Sequence, residues 1–166
     1  MGRQLTAAAI TTGMTVVGGS ETADSGHLSQ DIGVLAGGTA IGLTPQSDTV
    51  TAAANADIWV DFTRPRASIA ALKALAHTRV RGVVIGTTGF SPAEEDEIRQ
   101  ASESLAIIKA GNFSVGINLL QALTRLAAER LGEDWDIEIL ETHHRRKVDA
   151  PSGTALMLGD AAAAGR

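Results

Sequence analysis

Three short apolar runs, each passing straight into a helix-start signal, constrain this chain more than any other feature. Asp57-Ile-Trp-Val-Asp-Phe62 is built of β-formers and leads into Thr63-Arg-Pro65, where proline suits the first turn of a helix. The helix predicted over 66–77 sets Ile69, Leu72 and Leu75 on one side at helical spacing. Gly82-Val-Val-Ile-Gly86 is the second run, wholly apolar, as a strand of a parallel sheet covered on both faces should be. Ser91-Pro-Ala-Glu94 follows as a capping box with proline at the first helical position. The third run, Ala106-Ile-Ile-Lys-Ala110, precedes Ser114, a cap for a long helix carrying Ile117, Leu120, Leu123, Leu126 and Ala127 and closed by Gly132. Strands alternating with helices at this spacing imply an α/β fold with a parallel sheet and right-handed crossovers.

The flanking segments carry weaker signals. Residues 1–12 read as a helix with Leu5, Ala8 and Ala9 on its apolar face, ended by Gly13. Met14-Thr-Val-Val17 then reads as a short buried strand finishing in Gly18-Gly-Ser-Glu21. Residues 22–45 are expected to form a loop with a short strand near 40–43, and 47–54 a helix capped by Ser47 or Asp48. Asp136-Ile-Glu-Ile-Leu140 reads as a strand, and Pro151-Ser-Gly-Thr154 as the start of a helix.

Composition excludes several function classes. The 166 residues contain no cysteine, which removes disulfides and thiolate metal sites and makes a reducing, cytoplasmic setting the expectation. A net charge of −5 argues against general nucleic-acid binding. No apolar run approaches the ~20 residues needed to span a bilayer, so no membrane partner is expected. The 44% hydrophobic content is that of an ordinary globular chain with a core.

In parallel α/β sheets ligands bind beyond the carboxyl ends of the strands. Three turns occupy that place: Asp61-Phe-Thr-Arg-Pro65, Gly86-Thr-Thr-Gly89 and Gly111-Asn-Phe-Ser114. Each alone is ordinary turn chemistry; three on one rim favour a shared ligand. Glu21, at the end of the 14–17 run, has the position of the acid that binds an adenosine ribose in dinucleotide folds. The strand and glycine-rich fingerprint that should precede it are absent, so a Rossmann-like sheet lacking its first strand is expected, in a chain shortened at its start. Between Arg3 and Arg64 there is no lysine or arginine to meet a 2′-phosphate, which favours NADH over NADPH.

The densest chemistry lies in Glu141-Thr-His-His-Arg-Arg-Lys-Val-Asp-Ala-Pro-Ser-Gly-Thr-Ala155. The paired histidines do not suit a metal, because neighbours on a strand point to opposite faces and no third ligand is suitably spaced. Arg145, Arg146 and Lys147 could form a solvated basic turn paired with Glu141 and Asp149. Ser152 lacks the G-x-S-x-G elbow of a nucleophile.

This stretch resembles the signature of the 4-hydroxy-tetrahydrodipicolinate reductase (dihydrodipicolinate reductase) family. Met1-Gly-Arg, Asp61-Phe-Thr-Arg-Pro65, Gly86-Thr-Thr-Gly-Phe90 and Asn112-Phe-Ser-Val-Gly116 resemble further family motifs in the expected order. The resemblance implies a partial dinucleotide-binding domain over 1–113 and, over 114–166, the beginning of an α+β substrate and tetramerisation domain, with the chain shortened at both ends. It implies NADH or NADPH as cofactor, a small dicarboxylate substrate and a homotetramer. Carried over by position, His143 is the proton donor and Lys147 its partner, and His144, Gly153 and Thr154 bind substrate. Gly86, Thr87, Thr88, Ala110, Gly111, Asn112 and Phe113 line the cofactor, with Glu21 on its ribose. A non-catalytic fragment, or another nicotinamide-dependent dehydrogenase of the same fold, is the alternative.

Overall fold

The computed structural model describes residues 1–143, 145 and 150–166. The chain divides into two compact units, Met1–Lys109 and Ala110–Arg166.

In the first unit β1 (Ile58–Asp61), β2 (Gly82–Ile85) and β3 (Ala106–Lys109) form a parallel sheet in the order β1-β2-β3. Its register aligns Trp59 with Val83 and Ile107, and Asp61 with Ile85 and Lys109. Helices α4 (Pro65–Leu75) and α5 (Pro92–Ala101) make the crossovers. Leu72, Leu75 and Ile98 from these helices close over Val83 and Ile85 of the central strand, with Ala53, Ala56, Ile69, Val80 and Leu105 completing the core. The helix starts follow the sequence signals. Pro65 opens α4, and at α5 both halves of the capping box form, with Ser91 accepting from the Glu94 N–H and the Glu94 carboxylate accepting from the Ser91 N–H.

The opposite face of the sheet departs from expectation. Ile58, Val60 and Ile108, which alternate with the core-facing positions, are 56%, 49% and 63% exposed, so the apolar strands are covered on one face rather than two. Lys109 lies 5.3 Å from the Phe90 ring centroid and pairs with Glu95.

Before the sheet, α1 (Gly2–Thr11) ends at Gly13, whose φ of 79° is left-handed backbone suited to glycine. Met14-Thr-Val-Val17 forms no strand, and Met14 is exposed. The segment's pairing is one parallel bridge, Ser20 with Gln46, carried by Glu21 N–H to Gln46 O at 3.0 Å and Gln46 N–H to Gly19 O at 2.9 Å. The strand expected near 40–43 is also absent, for a visible reason. The Ile41, Gly42 and Leu43 N–H groups donate to the Asp31 carboxylate, which also accepts from Gly33 and Val34 at the start of α2 (Ile32–Leu35). Backbone donors taken by a side chain cannot enter a ladder. The helix expected over 47–54 shrinks to α3 (Thr49–Ala52), capped by Asp48.

In the second unit α6 (Val115–Leu131) is followed by α7 (Gly153–Ala164). Ser114 occupies the N-cap of α6 without a side-chain capping bond, contrary to the sequence reading. Gly132, φ 73°, closes the helix as expected. Residues 136–140 do not form the expected strand: Ile137, Ile139 and Leu140 are exposed, and no strand pairs with them among the described residues. Of α6 only Ala128 is buried, while Leu120, Leu123 and Leu126 of its apolar stripe stay exposed. Among the described residues no helix is long and apolar enough to cross a membrane.

Candidate active site

The sequence-predicted residues fall into two groups, one in each unit. In the first unit, the loops after β1 and β2 lie side by side because Asp61 and Ile85 are in register and the Gly86 N–H donates to Asp61 O at 2.8 Å. Gly86 is required by its neighbour: a Cβ there would fall 2.0 Å from the Phe62 ring. Thr87 is buried, and its hydroxyl donates to Asp61 Oδ1 at 3.0 Å while accepting from the Thr63 N–H at 2.8 Å. Its side chain therefore belongs to the loop's internal wiring, and the rim offers a ligand Thr88, which is exposed, and the backbone around Gly89, φ 84°.

The centre of that wiring is Asp61, which sequence reasoning left without a role. Its Oδ1 also accepts from Thr63 Oγ1 at 2.7 Å and Ser68 Oγ at 2.9 Å, joining the start of α4 to both loops. Nothing in the local pattern identifies a partner set spread from position 61 to 87. Glu21 lies half-buried at the end of the bridged segment, its carboxylate accepting from the Thr22 N–H at 3.1 Å.

In the second unit the residues after β3 meet the start of α7. Asn112 is hydrogen-bonded through both ends of its side-chain amide and through its carbonyl. Its Oδ1 accepts from the Ser114 N–H at 2.8 Å, its Nδ2 donates to Thr154 Oγ1 at 3.2 Å, and its carbonyl accepts from Asn118 Nδ2 at 3.0 Å. Two residues singled out separately in the sequence, Asn112 and Thr154, are thus hydrogen-bonded. Ala110 is half-buried and Gly111 and Phe113 are exposed.

Ser152 caps α7 by accepting from the Ala155 N–H at 3.1 Å. Glu141 sits over this cap. Its Oε1 accepts from the Ser152 N–H at 2.7 Å, and its Oε2 accepts from the Ser152 hydroxyl and from His143 Nε2 at 2.9 Å. The Ser152 hydroxyl and N–H, and after them His143, hold the Glu141 carboxyl below its usual 4.5. The sequence offered Glu141 only as an ion-pair partner of the basic turn; its partner at Ser152 is eleven positions away. Gly153 and Thr154, the next residues of α7, donate their N–H groups to no acceptor among the described residues. Hence the anion-binding donors expected at this helix start reduce to these two, since Glu141 takes the N–H of Ser152. Arg145 is exposed. His144 and Lys147, together with Arg146 and Asp149 of the basic turn, lie outside the described residues.

Fold and site together define a parallel α/β protein with a polar strand-end rim in one unit and a carboxylate-anchored histidine at a helix start in the other. The chain belongs to the dihydrodipicolinate reductase family: the family's N-terminal profile matches residues 1–113 and its C-terminal profile residues 116–166. Among its relatives is the 4-hydroxy-tetrahydrodipicolinate reductase of Cereibacter sphaeroides, 47% identical over 167 residues, which cover 100% of this chain and 62% of the relative. That of Dinoroseobacter shibae is 50% identical over 151 residues, covering 91% of this chain and 56% of the relative. A solved structure, dipicolinate-bound dihydrodipicolinate reductase from Paenisporosarcina sp. TG-14, superposes with a TM-score of 0.69 at 25% identity, covering 100% of this chain and 63% of that one. The chain therefore spans less than two thirds of the length of these relatives.

Proposed function

We propose that the protein reduces 4-hydroxy-tetrahydrodipicolinate to tetrahydrodipicolinate with a nicotinamide cofactor, in the diaminopimelate route of lysine biosynthesis in the cytoplasm. The observation that carries this reading is the hydrogen-bonded cluster of His143, Glu141 and Ser152 at the start of α7, in a chain of this family. His143 donates the proton. It is half-open to solvent, with 40% of its side chain accessible, and histidine can exchange a proton near neutral pH. Lys147 assists it, and His144 joins Gly153 and Thr154 in binding the dicarboxylate. Two N–H donors at a helix start suit one carboxylate, and glycine allows close approach.

The cofactor supplies the hydride. The loop from Gly86 to Thr88 and the segment 110–113 (Ala110, Gly111, Asn112 and Phe113) line its nicotinamide side. The exposed hydroxyl of Thr88 and the polar backbone of the rim fit such a group, whereas the Thr87 side chain is committed to Asp61. Glu21 holds the ribose. An acid there, with no arginine or lysine between Arg3 and Arg64, favours NADH over NADPH. The whole protein assembles as a homotetramer, a reading supported by the exposed Leu120, Leu123 and Leu126 of α6.

The test is an assay in which a synthase generates the labile substrate in situ. Cofactor oxidation should depend on the protein and fall ~10²–10⁴-fold in His143→Ala. Folded protein that oxidises neither NADH nor NADPH would reject the reading, and a lower Michaelis constant for NADPH would reject the cofactor preference.

A further inference from the structure

We propose that Glu141 is the positioning residue of this site, its carboxylate fixing His143 through Nε2 against the first turn of α7 so that Nδ1 is the nitrogen that delivers the proton. This rests on the reading of His143 as proton donor and adds the atom and the device that aims it.

A carboxylate only accepts hydrogen bonds, so a contact of 2.9 Å between Glu141 Oε2 and His143 Nε2 places the shared proton on Nε2. The other ring nitrogen, Nδ1, makes no hydrogen bond among the described residues and is the one left to exchange a proton with a ligand. The carboxylate itself is held at both oxygens: Oε1 takes the Ser152 N–H at 2.7 Å, and Oε2 takes the Ser152 hydroxyl as well as the imidazole. Ser152 is only 3% exposed and its oxygen is also engaged by the Ala155 N–H, so it cannot turn without losing these bonds. The imidazole is thereby tied, through two residues, to the same helix turn that carries Gly153 and Thr154. Two groups that must meet one substrate share one rigid anchor, and a reacting group misplaced by ~1 Å can lose ~100-fold in rate.

The plainer reading makes Glu141 a structural acid over the positive end of α7. Ser152 already performs the capping bond to Ala155, so the cap itself does not require the carboxylate. The proton balance is simple. The 4-hydroxy substrate first loses water to give the conjugated imine. Hydride adds to that imine, the proton on Nδ1 of the doubly protonated ring passes to the resulting anion, and the ring is left neutral with its remaining proton on Nε2, still donated to Glu141.

A double-mutant cycle in the whole enzyme decides between the two. Glu141→Gln, His143→Ala and their combination are compared for kcat with both substrates saturating. A positioned acid contributes ~10²–10⁴-fold, and Glu141→Gln should forfeit ~10- to 100-fold of it. In the His143→Ala background the same change should cost nothing more, because Glu141 acts through the ring. An unchanged kcat in Glu141→Gln, or a full multiplicative loss in the double variant, overturns the proposal. Failure of the parent reading looks different: His143→Ala would then retain wild-type kcat, and both fall together. If Glu141→Gln folds poorly by circular dichroism, Ser152→Ala removes the hydroxyl anchor while leaving the charge. Its kcat should fall with His143 present and not without it; loss independent of His143, or no loss, overturns the proposal.

Discussion

Asp61 is expected to contribute more to the stability of the first unit than any polar residue near it. It is 4% exposed, and Ser68 and Thr87, which donate to its Oδ1, are 1% and 5% exposed. Removing the carboxylate with Asp61→Ala leaves four donors to re-house. The Thr63 N–H keeps its second partner, Thr87 Oγ1 at 2.8 Å, and the Thr63 hydroxyl can turn toward water. Ser68 and Thr87 lie 3.0 Å apart and can satisfy one another once. One buried hydroxyl is then orphaned, at about 1–3 kcal/mol, and the advantage of bonds to a charged acceptor is lost as well. The sum is about 3–4 kcal/mol. Asp61→Asn retains an amide oxygen where all four donors converge and should cost only about 1–2 kcal/mol; Ser68→Ala, which removes one donor and leaves the carboxylate in place, about 1 kcal/mol. Urea unfolding followed by circular dichroism measures the three differences. An Asp61→Ala variant within about 0.5 kcal/mol of wild type, or an Asn variant as damaged as the Ala variant, would refute the donor accounting.

Further expectations concern packing and pH. Gly165 marks the close approach of α7 to α6: a Cβ would lie 2.3 Å from Arg125 O and 2.9 Å from Ala128 Cβ. Gly165→Ala should therefore lose about 1–3 kcal/mol to overpacking, seen as a lower Tm; an unchanged or higher Tm would contradict that contact. Acidification should act first on carboxylates whose N–H partners depress their pKa. The Ile41 N–H, then those of Val34, Gly42 and Gly33, hold Asp31 below its ordinary 3.8, and the Ser91 N–H and hydroxyl hold Glu94 below 4.5. A depressed folded pKa gives stability that is present above the unfolded value and is lost as pH falls through the folded one. Asp31→Asn should accordingly flatten the fall in Tm below pH 3.8, whereas an acid limb as steep as in wild type would show that the carboxylate is not the responsible group.

The elements legible in the sequence were those with local causes. Pro65 at a first turn, Ser91 with Glu94 three residues on, and the left-handed glycines at 13 and 132 each act within a few residues, and each appears where the pattern put it. Strands were legible only where a partner exists. Residues 58–61, 82–85 and 106–109 find one another, whereas 14–17 and 136–140 carry similar apolar residues and form no ladder among the described residues. Residues 40–43 have their amides taken by Asp31, a side chain some ten positions earlier. The candidate site divides in the same way. His143, Gly153 and Thr154 stand out as a dense motif, but the carboxylate joining His143 to the start of α7 becomes visible only when the chain folds back from Ser152 to Glu141. Thr87 shows the converse, a residue chosen for a ligand whose hydroxyl is spent on Asp61.

The central claim is that this chain's histidine site serves a hydride reduction, and the most direct measurement follows the hydride itself. The whole protein is given synthase-generated substrate and a nicotinamide cofactor carrying deuterium at its reactive carbon, and the product is examined by mass spectrometry. The account predicts a product carrying a single cofactor-derived deuterium, formed by the wild type and ~10²–10⁴-fold more slowly by His143→Ala. Cofactor consumption without deuterium in the product, or labelled product formed as fast by the His143→Ala variant, would contradict it.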